Sequence, residues 1–472
     1  MSLLAVGAQD QYLSTSPEMT YFKQVYRRPT KFAMQSVKMT FLTNPVLNTN
    51  SSTFTCKIGR FGDLLKDIYF SFEVPAIYSD GNYRFRWIPK IANYIINSYS
   101  VSVDSILLDK KWGEWLDIWN ELTLSNDQQY AYARMTGNIE QLTNPKVTTP
   151  RVVIRNNKLE YETYYASTDG SSPSIPSKRL YVPLDFWFSK NPSLALPLIG
   201  LQYQTVNVSV ELRPIQELYQ IYDQVTSLYV SPEKFKSLPI TAKSNRLGLA
   251  SPVNISDFTQ YGGGGPSVIS LNAYLECNYI FLDTAERRYI ASTSIDYLIE
   301  RVSRSETVGI RDKYTIDLNL SNPVKEIIWT TQRVDVQDYN DYANYTTSIP
   351  EDQYSAALNT ATMYWNGMER FEEKPAAYFN MLQPYTYHTS SPREGIYVYS
   401  FALHPEKIQP SGTFNASMIN TIQLSVTMNT PVLNSFDLQT PLKPIEYTVI
   451  VYSIYYNIFR IMGGSGGLVF AS

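Results

Sequence analysis

Along much of the chain, apolar and polar residues alternate one for one. Ala33, Val37, Met39 and Phe41 fall on one side of an extended backbone, with Ser36, Lys38 and Thr40 on the other. Phe54, Cys56 and Ile58 repeat the pattern. Leu64, Ile68, Phe70, Phe72 and Val74 continue it, with Asp67, Tyr69, Ser71 and Glu73 opposite. A period of two belongs to strands with one buried face, and successive runs of it mark antiparallel sheets. Residues 94–109 and Leu180–Phe188 add strand-like runs. Val206, Val208, Val210 and Leu212 then alternate with Asn207, Ser209 and Glu211. Leu271, Ala273, Leu275, Cys277, Tyr279 and Phe281 share one face.

A second series starts further on. Tyr314, Ile316, Leu318 and Leu320 alternate with Thr315, Asp317, Asn319 and Ser321. Val324–Gln332, Gly395–Leu403 and Ile422–Met428 follow. Tyr447–Asn457 is apolar on both faces, so it is buried on both or lies under another domain or subunit. The segment Asp283–Asp296 is more polar and breaks the pattern. The expected organisation is an N-terminal arm (1–29), a β-half (30–284), a linker (285–296) and a second β-half (297–472). No sequence repeat is visible, so any duplication is structural.

One helix interrupts the strands. Trp112, Trp115, Leu116, Trp119 and Leu122 recur at helical spacing, as an amphipathic helix requires, and helical composition continues to about Met135. The tryptophan stripe could be a binding surface. Its ordinary fate is a lid packed on a sheet edge. Segments 137–178, 213–266 and 333–362 resist a strand reading. They are rich in Pro, Gly, Ser, Asn and Tyr, and they read as long, ordered, contact-making loops.

Composition narrows the class. Charged residues make up 18% and hydrophobic residues 44% of 472 residues, which suits a folded core rather than disorder. A net charge of −3 argues against a dedicated nucleic-acid binder. The 2 cysteines exclude a disulfide framework. The opening residues lack the basic and apolar regions of a signal peptide, and no run of about 20 apolar residues is present to span a membrane.

Candidate chemistry is sparse. His388 and His404 are too few for a His-rich metal site, and Cys56 and Cys277 are too scattered for a zinc cluster. Both cysteines sit on apolar strand faces and read as buried, unpaired thiols. Gly463-Gly464-Ser465-Gly466-Gly467 fits the G-x-S-x-G pattern of a nucleophile elbow. No helix and no downstream His follow it, so it reads as a turning tail. Gly262–Gly265 lacks the Lys-Ser/Thr of a phosphate loop. The basic cluster Lys23, Arg27, Arg28 and Lys31 reads as a local patch. Sequons at Asn50, Asn207, Asn254, Asn319, Asn344 and Asn415 are expected by chance in so Asn- and Ser/Thr-rich a chain. No catalytic, cofactor or metal residue is expected.

Ordered blocks carry a resemblance. They begin with Gly7-Ala8-Gln9-Asp10, Tyr21–Arg28, and Gly62-Asp63-Leu64 leading into Asp67–Val74. Tyr181–Leu184, Asn191-Pro192 and Leu194–Tyr203 come next. Tyr279–Thr284, Glu286-Arg287-Arg288 and Glu300 after Tyr297-Leu298-Ile299 mark a junction. Tyr399–Leu403, Gln409–Thr413, Tyr456-Asn457, Arg460-Ile461-Met462 and Gly466-Gly467-Leu468 complete the set. Together they resemble the major capsid proteins of nucleocytoplasmic large DNA viruses.

The resemblance implies an all-β double jelly roll: two tandem eight-stranded antiparallel sandwiches with long loop insertions and a short helical insertion. It also implies a structural rather than enzymatic role. Homotrimers would form pseudo-hexagonal capsomers that tile an icosahedral virion shell around an inner membrane. Neighbouring capsomers and minor capsid proteins would be partners, and assembly would occur in the host cytoplasm. Direct sequence-specific nucleic-acid binding is not expected. Segments 137–178 and 213–266 exceed what compact members carry. The competing reading is a carbohydrate-binding jelly-roll protein, since aromatic loops on sandwiches often hold sugars.

Overall fold

Sixteen strands build two sandwiches in a computed structural model. It describes every residue except 1–6, 25, 80–84, 144–150, 156–157, 163–171, 223–227, 238–252, 350, 352–354, 430–444 and 471–472. The first half comprises β1 (Phe32–Thr40), β2 (Ser52–Lys57), β3 (Leu64–Val74), β4 (Ile96–Val103), β5 (Ile106–Trp112), β6 (Lys178–Pro183), β7 (Val206–Leu212) and β8 (Tyr274–Leu282). The second comprises β9 (Ile295–Ile310), β10 (Lys313–Asp317), β11 (Pro323–Arg333), β12 (Leu358–Trp365), β13 (Met368–Pro375), β14 (Ile396–Ser400), β15 (Ile422–Met428) and β16 (Tyr447–Met462).

In the first half the strand order is β1-β8-β3-β6 in one sheet and β2-β7-β4-β5 in the other. In the second half it is β9-β16-β11-β14 and β10-β15-β12-β13, the same order throughout. Every pairing is antiparallel. The fold is therefore a jelly roll made twice, although no sequence repeat betrays it.

The alternating residues face as their periods require. Phe54, Cys56, Ile58, Phe70, Phe72, Val208, Val210 and Leu275 are buried between the first two sheets. Ile316, Leu318, Leu424 and Val426 do the same in the second half. Not every position keeps the expected face: Ala33 and Tyr314 are exposed, and β3 changes parity. Leu65, not Leu64, is fully buried. The β3–β8 register slips between Asp67↔Asn278 and Leu65↔Tyr279, so Lys66 is an extra residue. A bulge of this kind reverses the in–out parity, which a strict period of two cannot anticipate.

The expected helix is α1 (Gly113–Thr123), followed after a break by a separate helix, α2 (Asn126–Thr136), capped by Ser125 and Gln128. Gly113 opens α1 where a Cβ would stand 2.1 Å from the Ile96 carbonyl oxygen. Only glycine lets the helix leave β5 so close to β4. The polar segment after β8 forms a third helix, α3 (Thr284–Ser292), with the Asp283 side chain accepting a hydrogen bond from the Thr284 amide.

The segments expected to be irregular contain short strands. Arg151–Arg155 pairs with Lys158–Glu162, and Tyr219–Tyr222 pairs with both Tyr229–Val230 and Phe85–Trp87. The glycine-rich tail turns at Gly463 and Gly464, both at positive φ, and Ser465–Leu468 pairs back on β16. The arm holds a short helix, Ala8–Ser14, and exposes Tyr12, Tyr21, Phe22 and Tyr26 almost completely.

Candidate assembly interface

The two halves meet across a face of the β9-β16-β11-β14 sheet. Its inner side packs into the second sandwich core through Ile327, Trp329, Val449 and Val451. Its outer side carries Val302, Ile328, Ile396, Val398, Ile450, Tyr452 and Ile454, which form one cluster with Trp115, Ile118, Trp119 and Leu122 of α1. Trp115 stacks on Trp119 at 5.5 Å and lies 5.2 Å from Tyr452. The tryptophan stripe is thus a lid, but it covers the open face of the second half rather than an edge of its own. This explains why β16 is buried at every residue from Tyr447 to Asn457.

Ion pairs rim this apolar seam. Glu300 on β9 takes Lys190 of the first half at 2.7 Å and Lys325 of β11 at 2.5 Å. Burial works to raise the Glu300 carboxyl, but the two ammonium groups outweigh it and hold the group down at about 2. Arg304 reaches Glu114 of α1 at 2.7 Å. Arg393 reaches Asp117 at 2.6 Å and Glu121 at 3.3 Å, and Lys90 sits 2.7 Å from the same Asp117. These are buried or half-buried pairs, where losing one partner strands the other.

His388 closes the rim. Its side chain is fully buried, with Nε2 3.1 Å from Glu326 and Nδ1 3.1 Å from Glu406. Burial alone would lower its pKa. The two carboxylates prevail and raise it to about 9, so the ring is a buried cation at neutral pH.

A second contact zone lies at the far end of β16. Trp187, after β6, packs 5.9 Å from both Tyr297 and Phe459. The loops add a third. The Asn340 amide donates to the Gln216 and Tyr219 carbonyls at 2.7 and 2.8 Å, and the Tyr94 and Tyr345 hydroxyls meet at 3.3 Å. Tyr342 also stacks on Tyr94 with ring centroids 6.2 Å apart, so Tyr342 and Tyr345 of segment 333–362 make contacts between the halves of one chain.

The remaining sequence candidates take quiet positions. Cys56 and Cys277 are free and fully buried in the first core. Burial pushes the Cys56 thiol up to about 11 and raises Cys277 as well, with Cys56 adding to the effect. Neither suits a nucleophile. Asn344 is fully buried, its amide donating to Asp341 and the Ser348 carbonyl, so this sequon cannot hold a glycan in the folded chain. Lys23, Arg27, Arg28 and Lys31 are exposed. Among the described residues no group of His, Cys, Asp and Glu could hold a metal ion, and no helix is long and apolar enough to cross a membrane. Sequence reasoning placed Glu300 at the junction between the halves but did not single out Lys190, Lys325, Asp117 or Arg393. Their partners are distant in sequence, so no local spacing could reveal them.

Two jelly rolls in tandem, locked by an internal helix, define the double jelly-roll class, and the solved structures agree. The PBCV-1 virus capsid superposes with a TM-score of 0.68 at 26% identity, covering 96% of this chain and 100% of that one. The Faustovirus major capsid protein shares the fold, with a TM-score of 0.69 at 14% identity over 97% of this chain and 94% of that one. Residues 20–283 match the family described as major capsid protein N-terminus, and 286–467 match the large eukaryotic DNA virus major capsid protein family. Major capsid proteins of Phaeocystis pouchetii virus and Paramecium bursaria Chlorella virus 1 are each 30% identical over all of this chain and 99% and 98% of their own length. The chain belongs to the major capsid protein family of large eukaryotic DNA viruses, whose members are structural virion components.

Proposed function

We propose that the chain builds the virion shell as a homotrimer, its paired jelly rolls forming a pseudo-hexagonal capsomer that tiles an icosahedral lattice. The observation that carries this is the identical strand order in both halves, joined by the α1 seam into one block. Two similar modules per chain give six in a threefold ring, and such a ring packs in a hexagonal lattice. In this reading residues 1–29 act as a docking arm, 30–284 and 297–472 as the two modules, and 285–296 as their link. Neighbouring capsomers and minor capsid proteins are the partners, with assembly in the host cytoplasm beside an inner membrane. No catalytic, metal or cofactor site takes part.

Light scattering on the purified protein tests the trimer. The expected mass is three times the 54.0 kDa chain, and electron microscopy should show hexagonal outlines. A single-chain mass with retention on a glycan column would favour the carbohydrate-binding reading instead.

A further inference from the structure

Each jelly roll has one sheet that faces away from its own sandwich partner along an equivalent side. In the second half that outward face is the one α1 covers. In the first half the equivalent sheet is β1-β8-β3-β6. Its outward face holds Lys38, Tyr274, Glu276, Tyr69 and Tyr181, placed there by the pairings Lys38↔Glu276, Glu276↔Tyr69 and Tyr181↔Ser71. Along β1 this face is open, with Ser36, Lys38 and Thr40 exposed. At its β6 side α2 borders it, leaving a groove of about 440 Å³ lined by Tyr69, Pro183, Leu124, Ala131 and Met135.

The covering helix has an equivalent too. α1 begins directly after β5, and the helical segment 376–387 begins directly after β13. These two strands occupy the same place in their sheets. The 376–387 helix anchors to its own half through Phe379, which packs 5.0 Å from Trp329. Its other side presents Met381, Leu382 and Tyr385, exposed by 59%, 54% and 84%. An apolar helix side is thus left exposed on the second half, and a half-exposed, Tyr-rich sheet face of matching topology lies on the first. Within one chain the second half is already held by α1 and Trp187 of the first, and the Met381–Leu382–Tyr385 side stays exposed.

We propose that the Met381–Leu382–Tyr385 side of one chain docks on the Tyr69–Tyr181–Tyr274 face of a second copy, as α1 docks on the second half of its own chain. This rests on the trimer reading and names the surfaces that close it. The contact is head-to-tail, and a head-to-tail contact repeated by a threefold rotation closes into a ring. The composition fits the role. The face covered within the chain is Ile- and Val-rich, whereas the face awaiting a partner is Tyr-rich. Tyrosine tolerates water before association and supplies contact area at low entropic cost after it.

Two variants test the proposal. Met381→Asp with Leu382→Asp places carboxylates on an exposed helix side and faces them toward Glu276 and Asp67 of the neighbour. The trimer dissociation constant should rise at least about tenfold, the size of one lost hot spot, with an unchanged circular dichroism spectrum. In the second variant, Tyr385→Cys with Tyr181→Cys, a short bismaleimide should link chains into covalent trimers on a denaturing gel. The native Cys56 and Cys277 are buried and do not compete. A double-Asp protein that trimerises as tightly as the parent, or a trimeric Cys variant that yields no interchain product, overturns the docking and leaves the trimer reading standing. A parent protein that sizes as a single chain overturns both.

Discussion

The indole of Trp119 meets the imidazole of His388 edge-on, with ring centroids 6.3 Å apart and planes at 90°. Trp119 belongs to the first half and His388 to the second, and the Lys190 ammonium lies 4.6 Å from the same indole. A buried tryptophan between two cationic groups is held by packing and by cation–π attraction together. Trp119→Ala should cost about 3–5 kcal/mol. Denaturant titration should show the loss, with the second half unfolding before the first. A variant within experimental error of the parent would mean the seam is not what joins the halves.

His388 makes stability depend on alkaline pH. Its folded value of about 9 lies above the ordinary 6.5. The contribution is therefore complete below about 6.5 and is lost as pH rises through about 9. It amounts to at most about 3 kcal/mol. His388→Asn should remove it, so the stability difference between parent and variant should shrink from pH 6 to pH 10. A constant difference would count against the buried cation.

Glu300 acts at the opposite end of the scale. Its folded value of about 2 lies below the ordinary 4.5. Its contribution is present above about 4.5 and is lost as pH falls toward 2. Glu300→Gln leaves Lys190 and Lys325 facing each other without a counter-charge, at a cost of about 3–5 kcal/mol. Between about pH 4.5 and 2 the stability of the variant should fall less steeply than that of the parent, and at pH 7 it should be lower.

Both cysteines should be inert in the native protein. A maleimide at pH 7 should leave Cys56 and Cys277 unlabelled until denaturant is added, then label both. Rapid labelling of the folded protein would show that the first sandwich opens more readily than its burial implies.

The arm should be removable. Its exposed Tyr12, Tyr21, Phe22 and Tyr26 make no core. Brief proteolysis of isolated protein should cut before β1 and leave the melting temperature of the remainder unchanged. An arm that resists cleavage in isolated protein would argue that it is already docked.

Much of this architecture was legible in the residues. Period-two runs located β2, β7, β8 and β15, and the two-sided apolarity of Tyr447–Asn457 revealed that β16 is covered twice. Other parts were not legible, for physical reasons. β9 spans Ile295–Ile310 yet carries Glu300, Arg301, Arg304 and Glu306. Charges on a strand look like a loop until their partners are known, and here Glu300 pairs with Lys190 and Lys325, and Arg304 with Glu114, all on other elements. The polar stretch after β8 is a capped helix because Asp283 satisfies its first amide, a local signal outweighed by the break in alternation. The tryptophan stripe was visible, but a stripe states only that something covers it. The identity of the cover depends on strands far along the chain.

That distance has a consequence during synthesis. The ribosome releases α1 long before it makes β9, β11, β14 and β16, the strands that bury Trp115 and Trp119. At ordinary elongation rates the stripe stays uncovered for on the order of tens of seconds. Through that interval the nascent first half displays an indole-rich helix beside a finished sandwich, a target for chaperones and for the same helix on neighbouring nascent chains. The helix face that joins the halves of the mature protein is therefore an uncovered apolar surface while the chain is being translated.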